Sequence, residues 1–406
     1  MTTYPTSTGM TSSERRASVS LAGIFALRML GLFLILPVFS VHAKSMPGGD
    51  SAILVGLALG IYGLTQSLGQ IPFGIASDRY GRKRIIVIGL LLFALGSFIA
   101  AMADNMLWVI IGRAVQGAGA ISAAVTALIA DSTREAQRTK AMAMVGASIG
   151  LSFAASLALS PVLYQAIGMG GIFFVTGVLA LLAIVVVRHV VPAAPALPPG
   201  RVTIREVIGN VDLLRLNYGV FVLHLIQMAM FVVMPSALIR FLDLPLTAHW
   251  KLYLPVLLGS FVLMLPPLLA SERLGKSKQM FLAAIVLLFV VQLGMWFLLS
   301  QQTTHWILPV GLLLLFFVAF NILEASQPSL VSRLAPPAGK GAALGVYNTL
   351  QSLGLFCGGA VGGVLVQFAG PASVFIMGAV LSAGWLIIAA NMKNLPRRGT
   401  VQPAAV

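Results

Sequence analysis

Twelve apolar runs follow one another along the 406-residue chain, and nearly all of its charged residues sit in the gaps between them. An α-helix rises about 1.5 Å per residue, so about 20 apolar residues cross a hydrocarbon layer about 30 Å thick. The runs lie near 18–41, 51–77, 84–103, 106–130, 139–166 and 170–190, then near 215–239, 247–270, 278–300, 305–332, 341–368 and 371–392. They are numbered here as spans one to twelve. A backbone in hydrocarbon has to satisfy its own hydrogen bonds, and a helix does so within one segment, so the pattern predicts an all-α polytopic membrane protein. Composition agrees. Hydrophobic residues make up 58% and charged residues 9%, against about 45–50% and 25% in a soluble domain. Those figures exclude a soluble globule, a disordered chain and, with a single Cys, a disulfide-stapled scaffold.

Most gaps are short, so sequence neighbours must run antiparallel. The longest gap, 191–214, carries Pro192, Pro195, Pro198, Pro199 and Gly200 and then Arg201 and Arg205, with Arg215 directly after it. Proline blocks helix there and stiffens the chain. The expected organisation is a tail at 1–17, a six-helix bundle at 18–190, a linker at 191–214, a second bundle at 215–392 and a tail at 393–406. The net charge of +15 points to topology and not to nucleic acid, because the bases cluster in alternate gaps. With the N-terminus inside, 21 of the 26 Lys and Arg fall on the cytoplasmic side and only Lys44, Arg240 and Lys251 fall outside. Lys and Arg resist translocation, so both termini are expected in the cytoplasm, with the chain a multi-pass protein of a bacterial inner membrane. No cleavable signal pattern precedes span one.

The halves echo each other. Asp78-Arg79-Tyr80-Gly81-Arg82-Lys83-Arg84 follows span two, and Glu272-Arg273-Leu274-Gly275-Lys276-Ser277-Lys278 follows span eight. Gly23-Ile24-Phe25-Ala26-Leu27-Arg28 in span one matches Gly219-Val220-Phe221-Val222-Leu223-His224 in span seven. The two matches lie at nearly one offset, which indicates a duplication. Both halves run in the same sense, so the repeat is parallel, about an axis along the membrane normal.

Taken alone, the basic loop after span two reads as a retention signal, but retention does not account for its acid and glycines. Gly81 suits a turn needing positive φ, Gly74 would allow close helix approach, and Asp78 could accept from Arg82 or face a helix N-terminus. The stretch Gly74 to Lys83 resembles motif A of the major facilitator superfamily. Arg113-Ala114-Val115-Gln116-Gly117-Ala118-Gly119 resembles the helix-four motif of its drug/proton antiporter branch. Gln70-Ile71-Pro72-Phe73-Gly74 and Tyr347-Asn348-Thr349-Leu350-Gln351-Ser352-Leu353-Gly354 resemble the YajR-like subgroup. The likeness runs from about 18 to 392. Two positions depart from the pattern: Ala76 stands where motif A has Leu, and Ser160-Pro161 stands where the fifth helix has Gly-Pro, although Gly146 and Gly150 are present.

The resemblance implies twelve helices in two pseudo-symmetric six-helix bundles (the major facilitator fold) and secondary transport by alternating access. It pairs Arg82 with Asp131, places Asp78 at the start of helix eleven near Gly341, and gives Gly74, Asp78, Arg79, Gly81, Arg82, Lys83 and Asp131 a gating role on the cytoplasmic side. It also associates the Arg113 position with proton movement.

Of the 11 acids, only Glu324 lies well inside a span. An ionisable group there is expensive against lipid, so it faces a cavity or a partner. A carboxyl able to gain and lose a proton inside the bilayer is what proton coupling requires; the rival reading is a neutral, hydrogen-bonded structural Glu. Arg28 and Arg113 are the deep bases. Neither can lose its proton, and no acid lies deep in the first half, so carbonyls, water or a substrate must serve them, unless Glu324 does. His224, at the place of Arg28 in the second half, titrates near physiological pH when unperturbed, or else simply packs. In this superfamily helices one, four, seven and ten line the central cavity, and Arg28, Arg113, His224 and Glu324 fall one on each. Gln66, Gln116, Gln227, Asn321, Asn348 and Gln351 are further cavity candidates, with Gln70 and Gln327 among the polar span residues. Pro37, Pro72, Pro161, Pro235 and Pro328 are expected to kink their helices.

There is no phosphate loop and no Cys/His cluster, so neither an enzyme nor a metal or other cofactor is expected. The expected partners are the lipid bilayer, a small-molecule substrate and protons, with the chain a monomer. The expected function is proton-coupled efflux of a small organic molecule. Two rivals stay open. One is a proton-linked importer or uniporter of a sugar or organic anion; the other is a non-transporting sensor or scaffold.

Overall fold

The computed structural model describes residues 9–192, 209–301, 306–335 and 339–392, and these form helices with no strand. Residues 193–208 of the expected linker and the tail 393–406 lie outside the described residues. The chain divides into two compact units, Met1–Gly200 and Arg201–Val406. Eleven helices are long and apolar enough to cross a membrane. One of them, Glu135–His189, has 55 residues and reverses at Gly168, where φ is 67° and ψ −177°. That break separates spans five and six, which restores twelve crossings. Large apolar side chains such as Leu68, Ile75, Leu151, Val262 and Val380 are exposed, as lipid-facing positions should be.

Two elements differ from the expectation. Span one begins at Ser12 and not near 18. Thr11 caps it: its hydroxyl accepts from Glu14 N–H at 3.2 Å, and Glu14 Oε2 accepts from Thr11 N–H at 2.8 Å. This is the reciprocal capping box of Thr followed three residues later by Glu. Helix Ser12–Phe33 then unwinds over residues 34–38 around Pro37, whereas Pro72, Pro161, Pro235 and Pro328 lie inside helices. Span four, expected as one run, is two helices, Met106–Ala118 and Ser122–Ser132, broken at Gly119 (φ −71°, ψ 51°). A Cβ at Gly119 would overlap the Gly89 carbonyl oxygen, so span three presses on the break.

The first unit joins spans one and five through a serine stripe. Ser152, Ser156 and Ser160 donate to the carbonyls of Ala26, Leu30 and Leu34 at 3.0, 3.4 and 2.5 Å. Donors and acceptors both recur every four residues, one helical turn. The serine in place of the usual fifth-helix glycine thus has a partner. In the second unit, spans seven and eleven meet over glycines. A Cβ at Gly354 or Gly358 would overlap the Phe221 or Leu225 carbonyl oxygen, and one at Gly362 would come within 3.1 Å of Ala229 Cα.

In each unit, basic residues cap the C-terminus of the last span. Lys83 Nζ donates to Val191 O at 2.5 Å and Arg16 to His189 O at 3.5 Å. In the second unit Lys278 donates to Met392 O and Arg215 to Asn391 O, the latter at 2.8 Å. Cations at a helix C-terminus satisfy its free carbonyls and oppose its dipole. The basic runs of the repeat therefore close spans six and twelve.

Candidate functional site

Inside the first unit, Arg28 and Arg113 are 2% and 0% exposed. Arg28 Nη1 donates to Ser122 Oγ at 2.6 Å. Arg113 Nη1 donates to Gln116 Oε1 at 2.6 Å and its Nε to Ala58 O at 3.4 Å. Gln116 passes the chain on, donating from Nε2 to Ser97 Oγ at 2.8 Å, and Ser97 donates to Phe93 O at 2.7 Å. Both guanidinium carbons lie against the ring of Tyr62, at 5.8 and 4.8 Å from its centroid. A desolvated cation over an aromatic face gains about 2 kcal/mol, which falls short of the several kcal/mol that burying each charge costs. Among the described residues neither arginine has a carboxylate partner.

These arginines converge on the break in span four. Ser122, which holds Arg28, is the first residue of the second half-helix, and the next amide, Ala123 N–H, donates to Gln70 Oε1 at 3.2 Å. Gln70 thus satisfies a backbone donor that the break left without a partner in its own helix. Gln66 is also buried, with no protein partner for its Oε1. Gln116 is committed to Arg113 and Ser97.

The second unit brings His224, Gln351 and Glu324 together from spans seven, eleven and ten. His224 Nδ1 lies 3.0 Å from Val220 O. A carbonyl only accepts, so Nδ1 carries the proton and Nε2 of the neutral ring is an acceptor. Gln351 Nε2 stands 2.7 Å from that Nε2 and 3.4 Å from Glu324 Oε1. Glu324 Oε2 lies 3.5 Å from His224 Nε2. One amide therefore offers its two N–H bonds to two groups that can each take a proton. Phe320 packs its ring 5.8 Å from the imidazole. Asn321 donates to Ser260 Oγ at 3.0 Å, so it ties span ten to span eight. Gln227 is buried and Asn348 half-buried.

In the turn between spans two and three, Arg82 sits between two acids. It pairs with Asp78, donates from Nε to Asp131 Oδ2 at 3.0 Å, and donates from Nη1 to Ser77 Oγ at 2.7 Å. Gly81 has φ 97° and ψ 135°, the turn that needs glycine. Gly74 does not fill the role expected of it: an added Cβ there would meet Ala123 Cβ at an ordinary 3.5 Å. Arg79 is exposed and stacks on its neighbour Tyr80. A second ion pair adjoins this group. Arg134 grips Glu14 through Nε and Nη2, both at 2.9 Å, and its Nη2 also reaches Gly9 O at 2.8 Å. The hydrogen bonds to Glu14 hold the Arg134 guanidinium above its ordinary pKa. Tyr62, Ser97 and Ser122 carry no local signal in the sequence, whereas Thr11 followed three residues later by Glu14 has the spacing of a capping box.

The model of the Major Facilitator Superfamily matches residues 21–358. The chain is 43% identical over 393 residues to the inner membrane transport protein YajR of Escherichia coli, covering 95% of this chain and 85% of that protein. The chain belongs to the major facilitator superfamily. It is a multi-pass membrane transporter and not an enzyme. It is also 28% identical over 352 residues to the multidrug resistance protein MdtH of Proteus mirabilis, covering 83% and 82% of the two chains. Among solved structures, the human organic anion transporter MFSD10 matches 93% of this chain and 100% of its own at a TM-score of 0.70 and 17% identity, a likeness of fold. The superfamily's twelve-helix plan accounts for the two six-span units, and its motif A for the loop that carries Asp78 and Arg82.

Proposed function

We propose that this superfamily member is a proton-coupled exporter of a small organic molecule, working by alternating access. The supporting observation is the His224–Gln351–Glu324 group, three side chains within 3.5 Å of one another inside the second unit. A proton arriving at His224 Nε2 turns that atom from acceptor to donor. Gln351 Nε2, itself a donor, can then no longer face it, and the ring's natural partner becomes Glu324 Oε2. A proton on Glu324 instead leaves the imidazole and Gln351 as they stand. The cluster thus has two protonation states with different hydrogen-bond partners, which a proton-driven conformational cycle requires. The efflux direction is supported by the likeness to MdtH, a multidrug resistance protein.

In this reading Arg82, held between Asp78 and Asp131, is part of a cytoplasmic latch whose ion pairs break and re-form in each cycle. Both termini lie in the cytoplasm, as the Lys and Arg distribution favours. The test uses liposomes holding purified wild type or Glu324→Gln, with proton movement followed while a panel of organic anions, cations and sugars is offered. Substrate-dependent proton flux in wild type, absent in the variant, is the expected result. Substrate flux without proton flux, or flux indifferent to the substitution, would replace coupling with uniport.

A further inference from the structure

We propose that the broken fourth span is a binding site for the carboxylate of a small organic anion, built from the N-terminus of helix Ser122–Ser132 together with Arg28, Arg113 and Tyr62. The proposal names the substrate class and rests on the transport reading above. Three observations carry it. First, the break lies near the middle of the span Met106–Ser132, so the new helix N-terminus, with its partial positive charge, points into the bilayer interior. Discontinuous membrane helices use such ends to hold anionic groups. Second, two guanidiniums share one tyrosine ring beside it, and Arg28 is anchored on the first residue of that half-helix. Third, the charge is left uncompensated. Ser122, Gln116 and Ala58 supply only dipoles, while Arg28 Nε and Nη2, Arg113 Nη2 and the Tyr62 hydroxyl have no hydrogen-bond partner among the protein groups.

A structural arginine buried this deeply would ordinarily be matched by an acid. Here three guanidinium nitrogens and a phenol are left to donate, which is the complement of a carboxylate, since its two oxygens accept a planar fork. A cationic substrate would meet two like charges and a helix N-terminus.

The full chain, purified in detergent, is titrated with sodium benzoate and with benzamide, its neutral isostere, at constant ionic strength, reading the unfolding temperature and tryptophan fluorescence. Benzoate should stabilise wild type saturably and benzamide should not. Arg28→Gln and Arg113→Gln should each weaken the benzoate midpoint about tenfold or more, the loss of one charge-assisted hydrogen bond. Arg28→Lys and Arg113→Lys keep the charge but lose the fork. They should weaken it about threefold, and they give a readout if a Gln variant fails to fold. Equal stabilisation by benzamide, no saturable response in wild type, or a midpoint unmoved across these variants overturns the site. The titration involves no proton gradient. Its failure therefore leaves coupling at Glu324 standing, and failure of the flux test leaves the benzoate result standing.

Discussion

Spans one and five meet through serines that donate to backbone carbonyls, while spans seven and eleven meet through glycines whose Cα atoms lie against backbone carbonyls. The duplication puts the two seams in corresponding places, and the same basic caps close the last span of each half. Lipid tails are as apolar as leucine, so neither seam can draw on a hydrophobic force between helices. Association rests on close packing or on interhelical hydrogen bonds. Each half has taken one of the two solutions. A hydrogen-bonded seam keeps a directional partner for every donor. A glycine seam has no partner to lose but tolerates no added atom.

The halves differ in charge in the same way. Deep in the spans, the first holds two buried permanent cations with no acid beside them among the described residues, its buried Glu14 pairing with Arg134 at the start of span one; the second holds a buried histidine and a half-buried carboxyl joined by one amide. A guanidinium cannot titrate, so the first half can attract an ion but cannot exchange a proton. The proposed function assigns the proton to the second half. On the functional reading given above, that divides substrate binding from proton carriage between two copies of one ancestral bundle.

The seam comparison is broken most sharply at Gly358. Gly358→Ala places a methyl group on the Leu225 carbonyl, with backbone on both sides and no rotamer to yield, so a loss of about 3 kcal/mol is expected. Gly150→Ala, on span five, meets nothing within 4 Å and should be neutral or stabilise by up to about 1 kcal/mol through helix propensity. Thermal unfolding of the two purified variants checks both. If Gly358→Ala unfolds with wild type, the second seam is not glycine-limited and the contrast fails.

How much of this the residues disclosed depended on the solvent each feature answers to. Spans answer to hydrocarbon, which demands long apolar runs, and so all twelve were legible. The break in span four was not. Apart from Arg113 and Gln116, residues 106–130 are apolar or small throughout, and Gly117 and Gly119 fit helix packing equally well. It is the press of Gly89 and the reach of Gln70 from other spans that make the interruption tolerable. Arg28 and Arg113 were legible as deep charges, but their meeting over Tyr62 was not, since it joins spans one, two and four. The His224–Gln351 contact spans 127 residues of chain and leaves no local trace. Ser160 was legible only as a departure from a pattern. Its meaning needed the carbonyl of Leu34 opposite.

That carbonyl gives the finest test of the serine seam. Leu34 follows the end of helix Ser12–Phe33, and the amide that would normally serve its oxygen, Val38 N–H, donates to Ile35 O instead. Ser160 is therefore the partner of an otherwise unserved acceptor, at 2.5 Å. The Leu30 oxygen, by contrast, already accepts Leu34 N–H at 2.9 Å, and the Ser156 hydroxyl adds a second, longer bond at 3.4 Å. A buried acceptor left unmatched costs about 1–3 kcal/mol, whereas an interhelical hydrogen bond in a membrane averages about 0.6 kcal/mol. Ser160→Ala should therefore lower stability by about 1.5 kcal/mol and Ser156→Ala by about 0.5 kcal/mol, and the double variant measures the coupling between these neighbouring bonds. Unfolding temperatures of the three variants in one detergent decide it. Equal losses at the two sites would mean that the stripe acts through packing alone, which would make the two seams alike.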